Sequence, residues 1–125
     1  MDKQRIAILG LGRIGSAFLR PILKKLNHGL ELVCVAEAMD TPGRQLAVQS
    51  GIQLSTLDGI VAMGDQIHVI FDLTGLAEVR RELREKLVAS QNKQTVIASE
   101  SIVRVIWALI SDEDLPVIAG RATGY

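Results

Sequence analysis

One stretch near the amino terminus constrains the fold more than any other. Ile6-Ala7-Ile8-Leu9 is an unbroken apolar run, the pattern of a strand buried on both faces. It leads directly into Gly10-Leu11-Gly12-Arg13-Ile14-Gly15, a G-x-G-x-x-G, and then into residues 13–26, where Ile14, Phe18, Ile22 and Leu26 recur at spacing four. That spacing predicts a helix with one apolar stripe. In such a strand, turn and helix the three glycines have separate jobs. Gly10 permits the tight turn, Gly12 lets a pyrophosphate approach the backbone, and Gly15 lets helix and strand pack closely. The helix start would offer unpaired N–H groups and a partial positive charge to phosphates. Pro21 breaks the local rule, because inside a helix it removes one hydrogen bond and crowds the preceding turn.

The rest of the chain alternates in the same way. Residues 30–36 read as a second strand, and Thr41-Pro42-Gly43 opens a helix to about Ser50. A short strand is expected at residues 52–54, a capped helical turn at 56–63 and a fourth strand at 67–73. Residues 77–90 read as a surface helix with Val79, Leu83 and Leu87 inward and Glu78, Arg80, Arg81, Glu82, Arg84, Glu85 and Lys86 outward. A fifth strand at 95–98 and a helix at 101–111 follow. Alternating strands and helices with short connections predict an α/β fold, a three-layer, doubly wound parallel sheet in strand order 3-2-1-4-5. Residues 115–119 would add a sixth edge strand, where Pro116 is tolerable.

With 125 residues the chain is expected to form one domain, residues 1–125. Apolar residues make up 48% and charged residues 22%, enough for a packed core. Fourteen basic against fourteen acidic side chains leave no net charge, which argues against nucleic-acid binding. No apolar run approaches the length of a membrane span. One cysteine, Cys34, and an amino terminus without signal-peptide character point to the cytoplasm. Cys34 is expected as a buried small hydrophobe, His68 as a satisfied core histidine, His28 as a helix-end residue, and no metal-ligand spacing is present.

A second motif strengthens the glycine pattern. Glu37 follows the second strand, 22 residues beyond Gly15, where an acid accepts the ribose hydroxyls of an adenosine. A glutamate there repels a 2′-phosphate, so NAD, as NAD+ or NADH, is favoured over NADP; Arg44 stands too far along to alter that expectation. The competing reading is a glycine turn beside a solvated acid. Asp72-Leu73-Thr74-Gly75 ends the fourth strand across the switch point, and Thr74 and Gly75 would either approach the nicotinamide-side ribose or pyrophosphate or form a plain turn. Ser99-Glu100-Ser101 stands at the matching rim position, where Ser99 would contact a ligand or cap a helix. S-adenosylmethionine and FAD carry the same ribose hydroxyls and stay open as ligands.

On these motifs, with Val35-Ala36-Glu37 and Val69-Ile70-Phe71 included, most of residues 4–110 resembles the NAD-binding Rossmann domain that opens the Gfo/Idh/MocA oxidoreductases and the homoserine and aspartate dehydrogenases. It is also similar to the Rossmann modules at the amino terminus of some bacterial sensor histidine kinases, through Ser101-Ile102-Val103-Arg104-Val105-Ile106-Trp107-Ala108-Leu109. The resemblance implies a dinucleotide site at Gly10, Leu11, Gly12, Arg13, Ile14, Gly15, Glu37, Thr74, Gly75 and Ser99. It departs at Ser99-Glu100-Ser101, where Gfo/Idh/MocA enzymes carry Glu-Lys-Pro with a lysine near the reacting carbon, and the expectation is a chain without the substrate domain of those enzymes. The expected function is therefore an NAD(H)-binding regulatory or sensor module. The alternatives are an oxidoreductase fragment or subunit completed by another chain, and an interaction domain with a vestigial pocket. Apolar residues around helix 101–111 add the expectation of a homo-oligomer or a protein partner.

Overall fold

The computed structural model describes residues 3–112 together with Leu115, Pro116 and Ile118. Its strands are β1 (Gln4–Leu9), β2 (Leu30–Ala36), β3 (Leu54–Ser55), β4 (Val69–Asp72) and β5 (Val96–Ala98), and its helices are α1 (Arg13–Lys24), α2 (Pro42–Gln49), α3 (Leu57–Ala62), α4 (Ala77–Ala89) and α5 (Glu100–Ile110). All strand pairs are parallel, in the order β3-β2-β1-β4-β5 expected from the alternation of elements.

The side-chain period of a strand divides β1 between two cores. Ile6 and Ile8 face one layer, where they pack with Ile14, Phe18 and Ile22 of α1, Ala47 of α2 and Val103 of α5. Ala7 and Leu9 face the other, with Ile60 of α3 and Leu83 and Leu87 of α4. A fully buried isoleucine such as Ile14 is worth roughly 1.5–3 kcal/mol over its exposed state. Phe18 and Phe71 meet edge to face with ring centroids 5.0 Å apart, tying α1 to the sheet.

The register positions the site. Leu9 pairs with Ala36 on one side and with Asp72 on the other, so Gly10, Glu37 and Leu73 leave the sheet side by side at its carboxyl edge. This is the switch point, since β1 connects toward β2 while β4 lies on its opposite flank.

Several sequence expectations are corrected. The third strand is Leu54–Ser55 and not residues 52–54, two residues long because only β2 is beside it. Arg80 does not face outward: it is 8% exposed, drawn beneath α4 by buried Asp72. The last helix begins at Glu100 and not at Ser101, with Glu100 buried and bonded to Arg104 at 3.2 Å one turn on. Pro21 lies inside α1, which continues past it to Lys24. His68 precedes β4, and its Nδ1 accepts the Arg5 N–H at 2.9 Å, the satisfied role expected of it. The expected sixth strand falls partly outside the described residues; Leu115, Pro116 and Ile118 take no strand conformation, and Leu115 is buried against the α1 layer. Among the described residues, no helix is long and apolar enough to cross a membrane.

Candidate functional site

The three glycines of the loop have different surroundings. Gly10 has φ +99°, and a Cβ there would stand 2.8 Å from the Thr74 nitrogen, so only glycine suits both the turn and the neighbouring loop. A Cβ on Gly15 would fall 2.0 Å from the Gly10 carbonyl oxygen, which is the close packing of α1 on the end of β1. Gly12 is different. A Cβ there would meet nothing within 4 Å, so its backbone borders open space. Gly12 is also the residue capping α1, with no side-chain cap and no acid in the first turn among the described residues. Free N–H groups and the positive end of the helix dipole therefore face the opening.

Glu37 stands beside this loop. Its Oε1 accepts the Leu11 N–H at 2.7 Å and its Oε2 accepts the Met39 N–H at 3.1 Å. Each bond to a charged acceptor is stronger than a neutral one, so the carboxylate is held in one orientation before any ligand arrives. An ionised carboxylate has about four lone-pair sites, which leaves one on each oxygen for further donors. Two vicinal hydroxyls would fit that pattern.

Arg44 completes this end of the cleft. Thr41 caps α2 by accepting the Arg44 N–H at 3.1 Å, and Pro42 occupies the first turn. Gly43 presses so closely on α1 that a Cβ would lie 2.2 Å from Ser16 Oγ. Held there, Arg44 donates from Nε to the Glu37 carbonyl at 2.9 Å.

Between these groups and the loop after β4 lies a cleft of about 650 Å³, whose lining includes Gly10, Gly12, Glu37, Met39, Arg44, Leu57, Leu73, Thr74, Leu76 and Val79. Mixed apolar walls with a few placed polar groups are typical of a small-molecule site. Of the expected site residues, Gly10, Gly12, Glu37 and Thr74 line it. Leu11 contributes its N–H while its side chain is fully buried, and Ile14 and Gly15 are buried within the first turn of α1. Arg13 is exposed at the helix start, and Arg13, Gly75 and Ser99 are outside the cleft lining. Ser99 takes the capping position of α5, where its carbonyl accepts the Ile102 and Val103 N–H groups while its side chain makes no cap bond. Arg44, which the sequence spacing set too far along to matter, lines the cleft because the helix start at Thr41-Pro42-Gly43 turns it back toward Glu37. The apolar walls from Met39, Leu57, Leu76 and Val79 carried no sequence signal, because each reads as ordinary helix or loop.

Elsewhere, Cys34 is buried in β2, and desolvation pushes its thiol up to about 11. It is unreactive near neutrality.

No protein-family model matches the chain, and no curated protein matches it in sequence. Solved structures match its fold. The homoserine dehydrogenase of S. aureus superposes with a TM-score of 0.60 at 20% identity, over 88% of this chain and 29% of that one. The homoserine dehydrogenase of Thiobacillus denitrificans gives 0.56 at 21% identity, over 86% and 26%. The myo-inositol 2-dehydrogenase of Lactobacillus plantarum gives 0.51 at 18% identity, over 83% and 38%. The chain thus spans well under half the length of these proteins, and what it shares with them is the Rossmann-like fold.

Proposed function

We propose that this chain binds an adenine dinucleotide, NAD+ or NADH, across the carboxyl edge of its sheet and serves as a sensing or regulatory module. The observation that carries this reading is Glu37. A carboxylate fixed by the N–H of the glycine loop itself, beside the open backbone of Gly12, joins an acceptor for ribose hydroxyls to a cradle for pyrophosphate. Gly12 and the first turn of α1 would hold the phosphates, Glu37 the adenosine ribose, and Thr74 with Leu73 the opposite half. Bound nicotinamide would supply a hydride acceptor or donor.

Glu37 disfavours a 2′-phosphate at short range, which supports NAD over NADP. Arg44 works in the other direction, since four of its five N–H donors remain after the bond to the Glu37 carbonyl. Because that bond holds Arg44 to the backbone of Glu37, whose carboxylate meets the ribose first, NAD remains the favoured ligand.

Fold similarity to dehydrogenases favours a second reading, in which the domain supplies the cofactor half of an oxidoreductase and a partner supplies the substrate half. The cleft lining weighs against catalysis by these residues alone. Glu37 and Arg44 are its ionisable side chains among the described residues, and both stand at the adenosine end. Neither is placed to move the proton that accompanies hydride transfer.

Thermal unfolding with millimolar NAD, NADH, NADP or S-adenosylmethionine tests the proposal. A ligand at 100 times its Kd stabilises by about 2.7 kcal/mol, roughly ten degrees in Tm for a domain of this size. A shift with NAD or NADH exceeding that with the other two is expected; the absence of any shift would leave a vestigial pocket.

A further inference from the structure

Asp72 and Arg80 form an ion pair under the β4–α4 turn, away from the cleft lining. Asp72 is completely buried and the Arg80 side chain is 9% exposed, with Arg80 Nε 2.9 Å from Asp72 Oδ2. Arg80 Nη2 is also buried and has no hydrogen-bond partner among the described residues. A buried pair with an unmet donor is a poor stabiliser, because desolvation of both charges offsets most of their attraction. Stability alone does not account for it.

Its geometry does. The other Asp72 oxygen, Oδ1, accepts both the Thr74 N–H at 3.2 Å and the Thr74 hydroxyl at 2.8 Å, and Thr74 Oγ1 in turn accepts the Leu76 N–H at 3.3 Å. Gly75, at φ +71°, closes this turn. Leu73 is tied to β1 through its N–H and the Leu9 carbonyl at 2.8 Å. The turn so wound presses on Gly10 and presents Leu73, Thr74 and Leu76 to the cleft.

We infer that Asp72 and Arg80 are positioning residues: Arg80 locks the Asp72 carboxylate in the one orientation that holds Thr74, and thereby sets the cleft wall serving the half of the dinucleotide beyond the pyrophosphate. This rests on the dinucleotide reading above. Glu37 lies on the other side of β1, so the adenosine half does not depend on this turn.

Calorimetric titration of the whole chain with NAD and, separately, with AMP tests the inference on wild type, Arg80→Met, Arg80→Lys and the double variant Asp72→Asn/Arg80→Met, with Tm recorded for each. Loss of one charge-assisted positioning contact predicts NAD binding weakened about tenfold or more in Arg80→Met, while AMP binding stays within about twofold. Arg80→Lys recovers part of the NAD affinity. The double variant removes the uncompensated carboxylate and recovers Tm without recovering NAD affinity, so the comparison survives if Arg80→Met fails to fold. Equal losses for NAD and AMP, or wild-type NAD affinity in either folded Met variant, would overturn the positioning role alone. Wild type binding neither ligand would overturn the dinucleotide reading and this inference with it.

Discussion

At the scale of single residues, Gly12 and Gly15 separate ligand access from folding. Gly12→Ala adds a methyl where nothing lies within 4 Å, so stability should change by less than about 1 kcal/mol while NAD affinity falls. Gly15→Ala drives a methyl into the Gly10 carbonyl and should cost about 3 kcal/mol or more. Thermal unfolding and NAD titration of the two variants check this; equal Tm losses would contradict it. Cys34 gives a pH signature. Burial holds its thiol at about 11, above its value in an unfolded chain, so the folded state binds that proton more tightly. Its contribution is complete below about pH 8.5 and fades as pH rises toward 11, so Cys34→Ala should flatten the alkaline loss of stability in denaturant titrations. An unchanged slope would contradict that. The turn at Gly10, the close packing at Gly15 and the place of Glu37 beside them were legible because motif spacing translates directly into backbone geometry. Arg80 was not: a charged residue in a charged helix reads as solvated, and its burial follows from the register that brings Asp72 beneath it.

At the scale of elements, apolar periodicity and capping signals located the five strands and five α-helices of the described residues. They also predicted a sixth strand that Leu115, Pro116 and Ile118 do not join, and otherwise misjudged mainly the ends. The β3 segment is the clearest case, since a two-residue edge strand is defined by where β2 offers partners and not by its own pattern. The start of α5 moved to Glu100 because that acid is satisfied from Arg104, which also donates to the Pro116 carbonyl at 2.8 Å, a contact no local pattern encodes. Pro21 is tolerated inside α1 and leaves the Ala17 carbonyl without its intrahelical donor. Pro21→Ala restores that donor and should stabilise by on the order of 1 kcal/mol, after allowing for the more flexible unfolded chain. A lower Tm for this variant would show that the ring packs more usefully than the hydrogen bond it displaces.

At the scale of the whole molecule, strand order was legible because short right-handed crossovers leave few alternatives. Surface association was less so, because periodicity identifies an apolar face without saying what covers it. On α5, Ile102, Val105, Leu109 and Ile110 are all exposed, Leu109 at 81%. The homo-oligomer expected from the sequence would bring this face against a second copy of the chain. Sedimentation at tens of micromolar should then show a dimer that Leu109→Glu dissociates, and a wild-type monomer would refute it. Calorimetric titration of NAD into wild type and Glu37→Ala asks whether the loop after β1 and the acid after β2 together hold an adenine dinucleotide. Removing charged acceptors for two ribose hydroxyls should weaken binding at least about tenfold at one site per chain, with the fold intact. NAD affinity equal in the two proteins, or no binding to wild type, would contradict the account.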